Sequence, residues 1–376
     1  MYIPQHQLKN LKKLLLPNKV LIILGPRRCG KTTLIKKFLE KVKEKFLFVN
    51  GEDITVKNYL NSESIEKLKS FVGKNKLLVV DEAQKIKNIG INLKLIVDHI
   101  EDIKVIVTGS SSFDLASTTG EPLTGRKYTL RLFPLAQIEL SSIENLHETK
   151  ANLEARLLYG SYPEVVITKD DLERERYLKE MVNSYLLKDI LELEGVKYSD
   201  KIVRLLQLLA FQIGKEVSYN ELGTQLSMSK NTVERYLDLL EKAFVIYKLK
   251  GFSRNLRKGI TKNHRYNFYD NGIRNALINN FNLLEIRNDV GALFENYIIT
   301  ERIKKQEYKE IFSNNYFWRT YQGQEIDFVE ERKGKLFGFE IKWQSSRLKK
   351  LTEWLNAYKN SSLKLINREN YLEFIS

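Results

Sequence analysis

"GPRRCGKTT", residues 25–33, follows the apolar run "KVLIIL" and precedes a stretch with apolar residues at helical spacing. A G-x-x-x-x-G-K-T pattern between a strand and a helix predicts a phosphate-binding loop. Its glycines let backbone N–H groups turn towards phosphates, and the helix N-terminus adds the positive end of its dipole. The expected nucleotide-binding residues of this loop are Gly25, Pro26, Arg27, Arg28, Cys29, Gly30, Lys31, Thr32 and Thr33.

Two further apolar strands end in residues that suit nucleotide chemistry. "LLVVDEAQKI" ends its strand at Asp81 and Glu82. We expect Thr32 and Asp81 to hold Mg²⁺, Lys31 to reach the β and γ phosphates, and Glu82 to polarise the attacking water. "KVIVTGSSS" ends on Thr108, Gly109 and Ser110, whose hydroxyls could contact the γ-phosphate or the attacking water; a Ser/Gly turn without chemistry is the alternative. ATP and Mg²⁺ are therefore the expected ligands.

The composition limits the class of protein. A chain of 376 residues is too long for one ordinary core, and 43% hydrophobic with 29% charged residues is typical of a globular protein. The net charge of +15 and a pI near 9.4 suit a polyanionic partner without requiring one. One cysteine, Cys29, excludes an internal disulfide framework and argues against a zinc cluster. The single cysteine also suits a reducing compartment, so we expect a cytoplasmic protein, and since no apolar run approaches the roughly 18 residues of a membrane helix, we expect no membrane anchor.

The order of the N-terminal motifs resembles a known family. "GPRRCGKTTL", "LVVDEAQKI", "IVTGSSS" and "LTGRKYTLRLFPL" are similar to the motifs of prokaryotic AAA-type (AAA+) P-loop ATPases that carry a C-terminal domain of unknown function. The resemblance implies that Arg126 is catalytic and contacts nucleotide phosphates in its own or a neighbouring subunit; in the second case the protein would be a homo-oligomer. From the residues alone, Arg131 competes for this role.

The middle of the chain predicts a helical region and then a helix pair. Residues 151–210 favour helices, with "LLYGSYPEVV" as a connection between them. The stretch of residues 216–252 predicts helix, turn, helix and strand, the order of a winged helix-turn-helix. Residues 242–262 contain seven Lys or Arg and no acid, which suits DNA phosphates. A protein-interaction module, or an element packed between domains, is the alternative.

If this element reads DNA, its second helix faces the groove. The expected DNA-binding residues are Ser229, Lys230, Asn231 and Arg235.

"EIDFVEERKGKLFGFEIKW", residues 325–343, predicts a hairpin that turns at Lys333 and Gly334. In that register Ile326 faces Ile341 and Phe328 faces Phe339, which makes one apolar face. On the other face Glu325 is opposite Lys342, and Asp327 is opposite Glu340. Two opposed carboxylates repel each other unless a cation lies between them.

The same hairpin resembles the core of PD-(D/E)XK nucleases, with Ile326 in place of the motif's proline. The resemblance implies that Glu295, Asp327 and Glu340 bind Mg²⁺ and that Lys342 orients water or stabilises the transition state. An ordinary salt-bridged hairpin is one alternative. A nuclease-like fold that binds DNA or a protein without cutting is another.

We therefore expect an α/β protein with a three-layer α/β/α P-loop NTPase core. The expected domains are an AAA-type ATPase domain (residues 1–150), a helical linker (151–210), a winged-helix-like domain (211–285) and a small α/β restriction-endonuclease-like domain (286–376). The expected function is Mg²⁺-dependent ATP hydrolysis coupled to DNA binding or processing. A nucleotide-dependent switch that binds a protein partner is the alternative, as is a C-terminal domain that acts on DNA without ATP.

Overall fold

The computed structural model describes residues 2–110, 123–186, 199–253, 264–320, 322–344 and 352–376. Part of the basic run, residues 254–262, lies outside the described residues. The chain divides into two compact units, which we call the N-terminal unit (residues 2–134) and the C-terminal unit (residues 135–376).

The N-terminal unit is built on one parallel sheet. Its strands are β1 (Lys19–Leu24), β2 (Phe46–Asn50), β3 (Leu77–Asp81), β4 (Lys104–Gly109) and β5 (Lys127–Arg131). They lie in the order β2-β3-β4-β1-β5, and each pairing is parallel. The helices of this unit are α1 (Gln7–Leu14), α2 (Lys31–Leu39), α3 (Ile54–Leu60), α4 (Ile65–Val72) and α5 (Ile89–His99), with a 3₁₀ turn at Ala83–Lys85.

The central strands are apolar on both faces because helices cover both sides of the sheet. Ile22 and Val80 pack in one hydrophobic cluster with residues of α3, α4 and α5. Ile23 and Val79, their neighbours along the same strands, pack in a second cluster with residues of α1 and α2. Successive side chains of a strand point to opposite faces, so the two clusters are the two sides of the sheet. This arrangement confirms the predicted α/β P-loop core with its three layers.

The C-terminal unit is built on a seven-stranded mixed sheet. Its strands are β6 (Glu216–Val217), β7 (Ile246–Gly251), β8 (His264–Phe268), β9 (Asn314–Arg319), β10 (Glu325–Arg332), β11 (Lys335–Ile341) and β12 (Ser361–Ile366). Their order is β12-β11-β10-β9-β7-β8-β6.

Many short helices and a few long ones surround this sheet. They are α6 (Gln137–Leu140), α7 (Leu146–Ala151), α8 (Leu153–Tyr159), α9 (Pro163–Ile167), α10 (Asp171–Glu180), α11 (Ser199–Phe211), α12 (Tyr219–Leu226), α13 (Lys230–Lys242), α14 (Asn271–Leu277), α15 (Val290–Tyr308), α16 (Thr352–Ala357) and α17 (Tyr371–Ile375). A π-helix follows α10 at Met181–Leu186, and a 3₁₀ turn lies at Leu284–Ile286.

The sheet of the C-terminal unit crosses the predicted domain boundary at residues 285 and 286. Strand β7 pairs in parallel with β9, with Lys250 opposite Tyr316 and Gly251 opposite Phe317. One hydrophobic cluster extends from Leu153 to Ile375. The second and third of the segments that we predicted after residue 150 therefore share a sheet, and all three share one hydrophobic core.

Local signals fix several helix starts in this unit. The side chain of Ser218 accepts a hydrogen bond from the backbone of α12, and that of Ser229 accepts one from the backbone of α13. Asp270 caps α14 and accepts a hydrogen bond from Ile273 N. Its other oxygen accepts from Ser161 N at 2.7 Å, so the aspartate also ties the "GSYPE" connection to α14.

A buried ion pair holds the start of the unit to α15. Lys304 Nζ and Glu301 Oε1 are 2.6 Å apart, and both side chains are buried. Glu301 also accepts a hydrogen bond from Gln137 N at 2.5 Å, and Lys304 donates to Leu135 O at 3.4 Å. Because both charged side chains of α15 also bind the backbone of residues 135–137, they hold this segment against the helix.

The hairpin of residues 325–343 has the predicted register at its turn but differs at its other end. Lys333 and Gly334 both have positive φ, and Phe328 pairs with Phe339. A β-bulge lies between Ile326 and Val329. It directs Ile326 into one hydrophobic cluster and Phe328 into another. The prediction of a single apolar face is therefore wrong. The bulge changes the direction in which the side chains point, and both faces of the hairpin are buried.

Candidate functional site

The phosphate loop has the local geometry that its sequence predicts. Gly30 precedes α2 with a φ of 100°, a left-handed conformation that favours glycine. Lys31 is only 5% exposed, and its ammonium donates to Gly25 O at 2.8 Å and to Pro26 O at 2.9 Å. A Cβ atom on Gly25 would lie 2.0 Å from Leu132 O, so only glycine fits between the loop and the residue that follows β5.

Asp81 and Thr32 come together at the carboxyl end of the sheet. Thr32 Oγ1 donates to Asp81 Oδ2 at 2.8 Å, and Asp81 is 7% exposed. The start of α2 and the end of β3 meet here because both lie at the carboxyl edge of the parallel sheet. A hydroxyl and a carboxylate at this spacing are oxygen ligands of the kind that Mg²⁺ prefers, so the residues fit the expected metal.

Thr108 pairs with both acidic residues at the end of β3. The side chain is fully buried and donates to Asp81 Oδ1, while its oxygen accepts a hydrogen bond from Glu82 N at 3.0 Å. The hydroxyl thus pairs with the two acidic residues, and its contact with the γ-phosphate stays a prediction. Thr108 fixes the position of both acids at the end of β3.

Glu82 lies directly beyond β3 in a left-handed conformation, with a φ of 54°. Gln84 Nε2 donates to Glu82 Oε2 at 2.6 Å and to Ser110 Oγ at 3.3 Å. The predictions did not include Gln84. Its position two residues after Glu82 in "DEAQ" is a signal that could have indicated it, since the 3₁₀ turn brings it back towards the acid.

Side chains at and just before the start of α1 contact the phosphate loop and the end of β5, and no sequence pattern predicted these contacts. Gln5 Nε2 donates to Cys29 O at 3.3 Å, and Gln7 Nε2 donates to Arg131 O at 2.8 Å. The two side-chain amides therefore bind the backbone of the phosphate loop and of the end of β5.

Arg126 lies at the edge of the sheet that is far from its own phosphate loop. It precedes β5, whose start pairs with the start of β1, whereas the loop follows the end of β1. Five residues of strand separate the two edges by about 16 Å. Arg126 Nε is 2.6 Å from Asp98 Oδ1, and this hydrogen bond raises the pKa of the guanidinium. Arg126 is therefore far from its own phosphate loop, and its contact with a nucleotide stays a prediction; Arg131 is the arginine at the near edge.

The predicted acid site of the C-terminal unit brings three groups together at the end of the hairpin. Asp327 is 3% exposed and accepts hydrogen bonds from Ile341 N at 2.8 Å and from Lys342 Nζ at 3.4 Å. Lys342 Nζ is also 3.6 Å from Glu340 Oε1. The cation between the two carboxylates is thus the Lys342 ammonium.

Glu295 faces this group from α15. Burial, and then the charge of Asp327, raise the pKa of Glu295 to about 8, although Arg265 and Lys342 oppose the shift. Burial acts against the ammonium of Lys342, but the charges of Asp327 and Glu340 raise its pKa above the ordinary value. The four side chains therefore form one electrostatic group.

The predicted magnesium ligands Glu295, Asp327 and Glu340 are near one another without enclosing a metal. Glu295 Oε1 and Glu340 Oε2 are buried and have no hydrogen-bond partner, as an oxygen ligand of a cation would be. Among the described residues, however, no group of three or more His, Cys, Asp or Glu side chains is arranged to hold a metal ion. Lys342 lies where the two carboxylates of the hairpin would share a cation.

Arg265 is a member of this site that sequence reasoning missed. Its Nη2 is 2.8 Å from Glu325 Oε2, and its guanidinium lies over the Phe317 ring at 4.4 Å. We predicted Lys342 as the partner of Glu325, and the structure has Arg265 in that position. No local pattern could indicate this pairing, because β8 and β10 are separated by long stretches of chain.

The predicted DNA-binding residues lie at the exposed start of α13. Ser229, Lys230, Asn231 and Arg235 are all exposed. The Ser229 hydroxyl caps the helix through Thr232 N at 3.1 Å, and the Arg235 guanidinium lies 5.5 Å from the Tyr236 ring. Their contact with DNA stays a prediction.

Three family models match successive parts of the chain. Residues 17–141 match an AAA domain, residues 150–284 match a domain of unknown function (DUF8612), and residues 290–373 match a second one (DUF4143). The last match agrees with the C-terminal domain that the resemblance implied, and its description names no nuclease.

Curated relatives come from bacteria and archaea and are uncharacterised. A protein of Mycobacterium tuberculosis is 27% identical over 335 residues, which are 87% of this chain and 71% of the relative. A protein of Haemophilus influenzae is 24% identical over 381 residues, 94% of this chain and 89% of the relative. A protein of Methanocaldococcus jannaschii is 26% identical over 334 residues, 84% of this chain and 73% of the relative.

Solved structures give a weaker likeness. A RuvB variant of Thermotoga maritima has a TM-score of 0.34 and 18% identity over 66% of this chain and 90% of its own. DnaA of Aquifex aeolicus bound to AMPPCP has a TM-score of 0.29 and 15% identity over 63% of this chain and 85% of its own. TM-scores this low do not establish a shared fold.

None of the described helices is long and apolar enough to cross a membrane. The family match of residues 17–141 agrees with the geometry of the phosphate loop, with the Thr32–Asp81 contact and with the parallel sheet that carries both. Residues 17–141 are therefore similar to an AAA domain and carry the phosphate loop of a P-loop ATPase.

Proposed function

We propose that the protein is a Mg²⁺-dependent ATPase that couples ATP hydrolysis to DNA binding by its C-terminal unit. The observation that supports this most is the 2.8 Å contact between Thr32 Oγ1 and Asp81 Oδ2 beside the phosphate loop. It presents two oxygen ligands to a metal at the place where the phosphates of ATP would lie.

In the proposed reaction the metal, when bound, neutralises charge on the phosphates. Lys31 exchanges its two carbonyl partners in the loop for phosphate oxygens. Glu82 orients the attacking water, and Gln84 holds its carboxylate in place. Since Arg126 lies at the far edge of the sheet, it acts on the nucleotide of a neighbouring subunit, so the working form is a homo-oligomer.

The DNA-binding part of the proposal is supported by charge and exposure. The chain carries a net charge of +15, and Lys230, Asn231 and Arg235 are exposed at the start of α13. A basic surface of this kind binds phosphates by releasing counterions, so binding should weaken steeply as salt rises.

A second function is favoured by the state of the acid site. Lys342 already places a positive charge beside both Asp327 and Glu340. The C-terminal unit would then be a nuclease-like domain that does not cleave, and nucleotide binding would switch its affinity for a protein partner.

One experiment separates these functions. Phosphate release is measured with Mg²⁺, with and without DNA, for the wild type and for Asp81→Asn, while plasmid and single-stranded DNA are followed for cleavage. If DNA stimulates hydrolysis and Asp81→Asn abolishes it, the ATPase proposal is supported. If the rate of hydrolysis is the same with and without DNA, the coupling is contradicted.

The cleavage arm compares Asp327→Ala with Glu331→Ala, an acid of the same hairpin outside the acid site. Cleavage that only Asp327→Ala removes would make the acid site a nuclease centre. Absence of cleavage in the wild type, with hydrolysis intact, favours the switch.

A further inference from the structure

The phosphate loop and helix α15 hold opposite ends of one short piece of chain. This piece, which we call the connector, is "LFPLAQ", residues 132–137. We propose that the connector transmits nucleotide binding at the phosphate loop to α15, so that the nucleotide controls the conformation of the C-terminal unit. The proposal rests on the proposed function, because it needs ATP to bind the phosphate loop.

The first residue of the connector is held on the phosphate loop. Leu132 N donates to Leu24 O at 2.7 Å, and Leu132 O accepts from Cys29 Sγ at 3.5 Å. A Cβ atom on Gly25 would lie 2.0 Å from Leu132 O, so the two backbones are in close contact. A shift of Gly25 therefore displaces Leu132, because close-packed atoms leave no space that could absorb the movement.

Nucleotide binding acts on the same glycine. Lys31 Nζ donates to Gly25 O at 2.8 Å and to Pro26 O at 2.9 Å. In the proposed reaction Lys31 exchanges these two carbonyl partners for phosphate oxygens. The hydrogen bond from Lys31 to Gly25 is then lost, so the contacts of Gly25 differ with and without nucleotide. A ligand can shift a conformational equilibrium only through such a difference in contacts between two states.

The other end of the connector is held on α15. Lys304 Nζ donates to Leu135 O at 3.4 Å, and Glu301 Oε2 accepts from Gln137 N at 2.5 Å. The Tyr297 hydroxyl donates to Gln137 Oε1 at 3.0 Å. The three side chains of α15 are spaced at i, i+4 and i+7, so they lie on one face of the helix. A displacement of the connector therefore acts on about two turns of α15.

The two residues between these ends form a stiff link. Proline fixes its own φ and restricts the residue before it to extended conformations. Phe133 and Pro134 therefore have less freedom to change the length of the link than a glycine-rich linker has. Glu295 of the acid site lies on α15 two residues before Tyr297, so a shift of the helix also moves this carboxylate.

The test measures amide hydrogen exchange of residues 290–308 in the full chain, in Mg²⁺, with and without a non-hydrolysable ATP analogue. We expect the analogue to change the exchange rates of α15 by about fivefold or more, the size of a typical coupling between two sites. A variant with two glycines inserted between Pro134 and Leu135 keeps the contacts at both ends and lengthens the link. We expect its α15 to exchange at the same rate with and without the analogue, while its Kd for the analogue stays close to that of the wild type.

Two glycines inserted after Gly73, in the exposed turn that follows α4, are the matched control and should leave the effect of the analogue on α15 unchanged. A second variant combines Glu301→Leu with Lys304→Met. It removes the two charged side chains that hold the connector, and replacing both members of a buried ion pair by apolar side chains often leaves stability unchanged. We expect it to remove most of the effect of the analogue.

The outcomes separate this proposal from the proposed function. If the analogue binds the wild type and the exchange of α15 does not change, the connector proposal is overturned and the ATPase proposal stands. A wild-type effect in the variant lengthened after Pro134 or in the double variant would overturn it too, as would loss of the effect in the Gly73 control. If the wild type does not bind the analogue, the ATPase proposal fails and the connector proposal fails with it.

Discussion

Replacing Thr108 by valine should slow ATP hydrolysis strongly and change nucleotide binding little. Valine keeps the shape of threonine but removes the hydroxyl that pairs with Asp81 and with Glu82 N. Two hydrogen bonds are lost, at about 1 kcal/mol each, and the Glu82 amide is left without its partner, which adds about 1 kcal/mol or more. We expect a loss of about 2–4 kcal/mol in the free energy of unfolding.

The effect on catalysis follows from the position of Glu82. Its left-handed backbone is supported on one side by the Thr108 hydroxyl. A shift of about 1 Å in a group that orients the attacking water can reduce kcat by about 100-fold. The lysine and the backbone amides of the phosphate loop stay in place, so the affinity for ATP should change by only a few-fold.

The assay is phosphate release at saturating ATP and Mg²⁺, with the Kd of a fluorescent ATP analogue measured in parallel. Thr108→Ser is the matched control, because it keeps the hydroxyl and loses only a buried methyl group. We expect hydrolysis by Thr108→Ser to stay within about threefold of the wild type. Equal hydrolysis by Thr108→Val and wild type would refute the positioning role of Thr108.

Three other perturbations address the oligomer, the acid site and the buried ion pair. Arg126→Ala should lose hydrolysis, and mixing it with Lys31→Ala subunits should restore part of it if the arginine acts across subunits; no recovery counts against that role. Glu295→Gln should raise Tm more at about pH 9 than at about pH 5. The pKa of Glu295 is raised to about 8 in the folded protein, so the wild type loses stability as the pH rises from the pKa of this group in the unfolded chain towards 8, whereas the amide does not ionise. Equal shifts of Tm at both pH values would contradict this. Lys304→Met leaves Glu301 charged and buried and should cost about 3–5 kcal/mol in urea unfolding, whereas adding Glu301→Gln should recover part of the loss. A double variant no more stable than the single one would argue against the ion pair.

The phosphate loop could be predicted because its signal is local. Gly25 to Thr33 are contiguous, and the strand before them and the helix after them are both visible in the apolar pattern. The place of Asp81 followed from the same reasoning, since it ends a buried strand. The role of Thr108 did not, because it depends on β3 and β4 being neighbours, and strand order is set by the packing of the whole sheet.

The acid site could be predicted only in part for a similar reason. The turn at Lys333 and Gly334 fixes the register near the turn, and that register is present. The bulge between Ile326 and Val329 lies on the far end of β10 and arises from its pairing with β9. Arg265 comes from a strand much earlier in the chain, so no spacing in the sequence could assign it to Glu325.

The pairing of β7 with β9 has a consequence for how this protein can be divided or recombined. A fragment cut near residue 285 would expose backbone N–H and C=O groups of β7 on one piece and of β9 on the other, and unpaired strand edges promote aggregation. The piece that can be exchanged between proteins as an autonomous module therefore begins near Leu135, where the buried charges of α15 hold the chain. We expect fusions and truncations to succeed at that junction and to precipitate when they separate the two regions of unknown function.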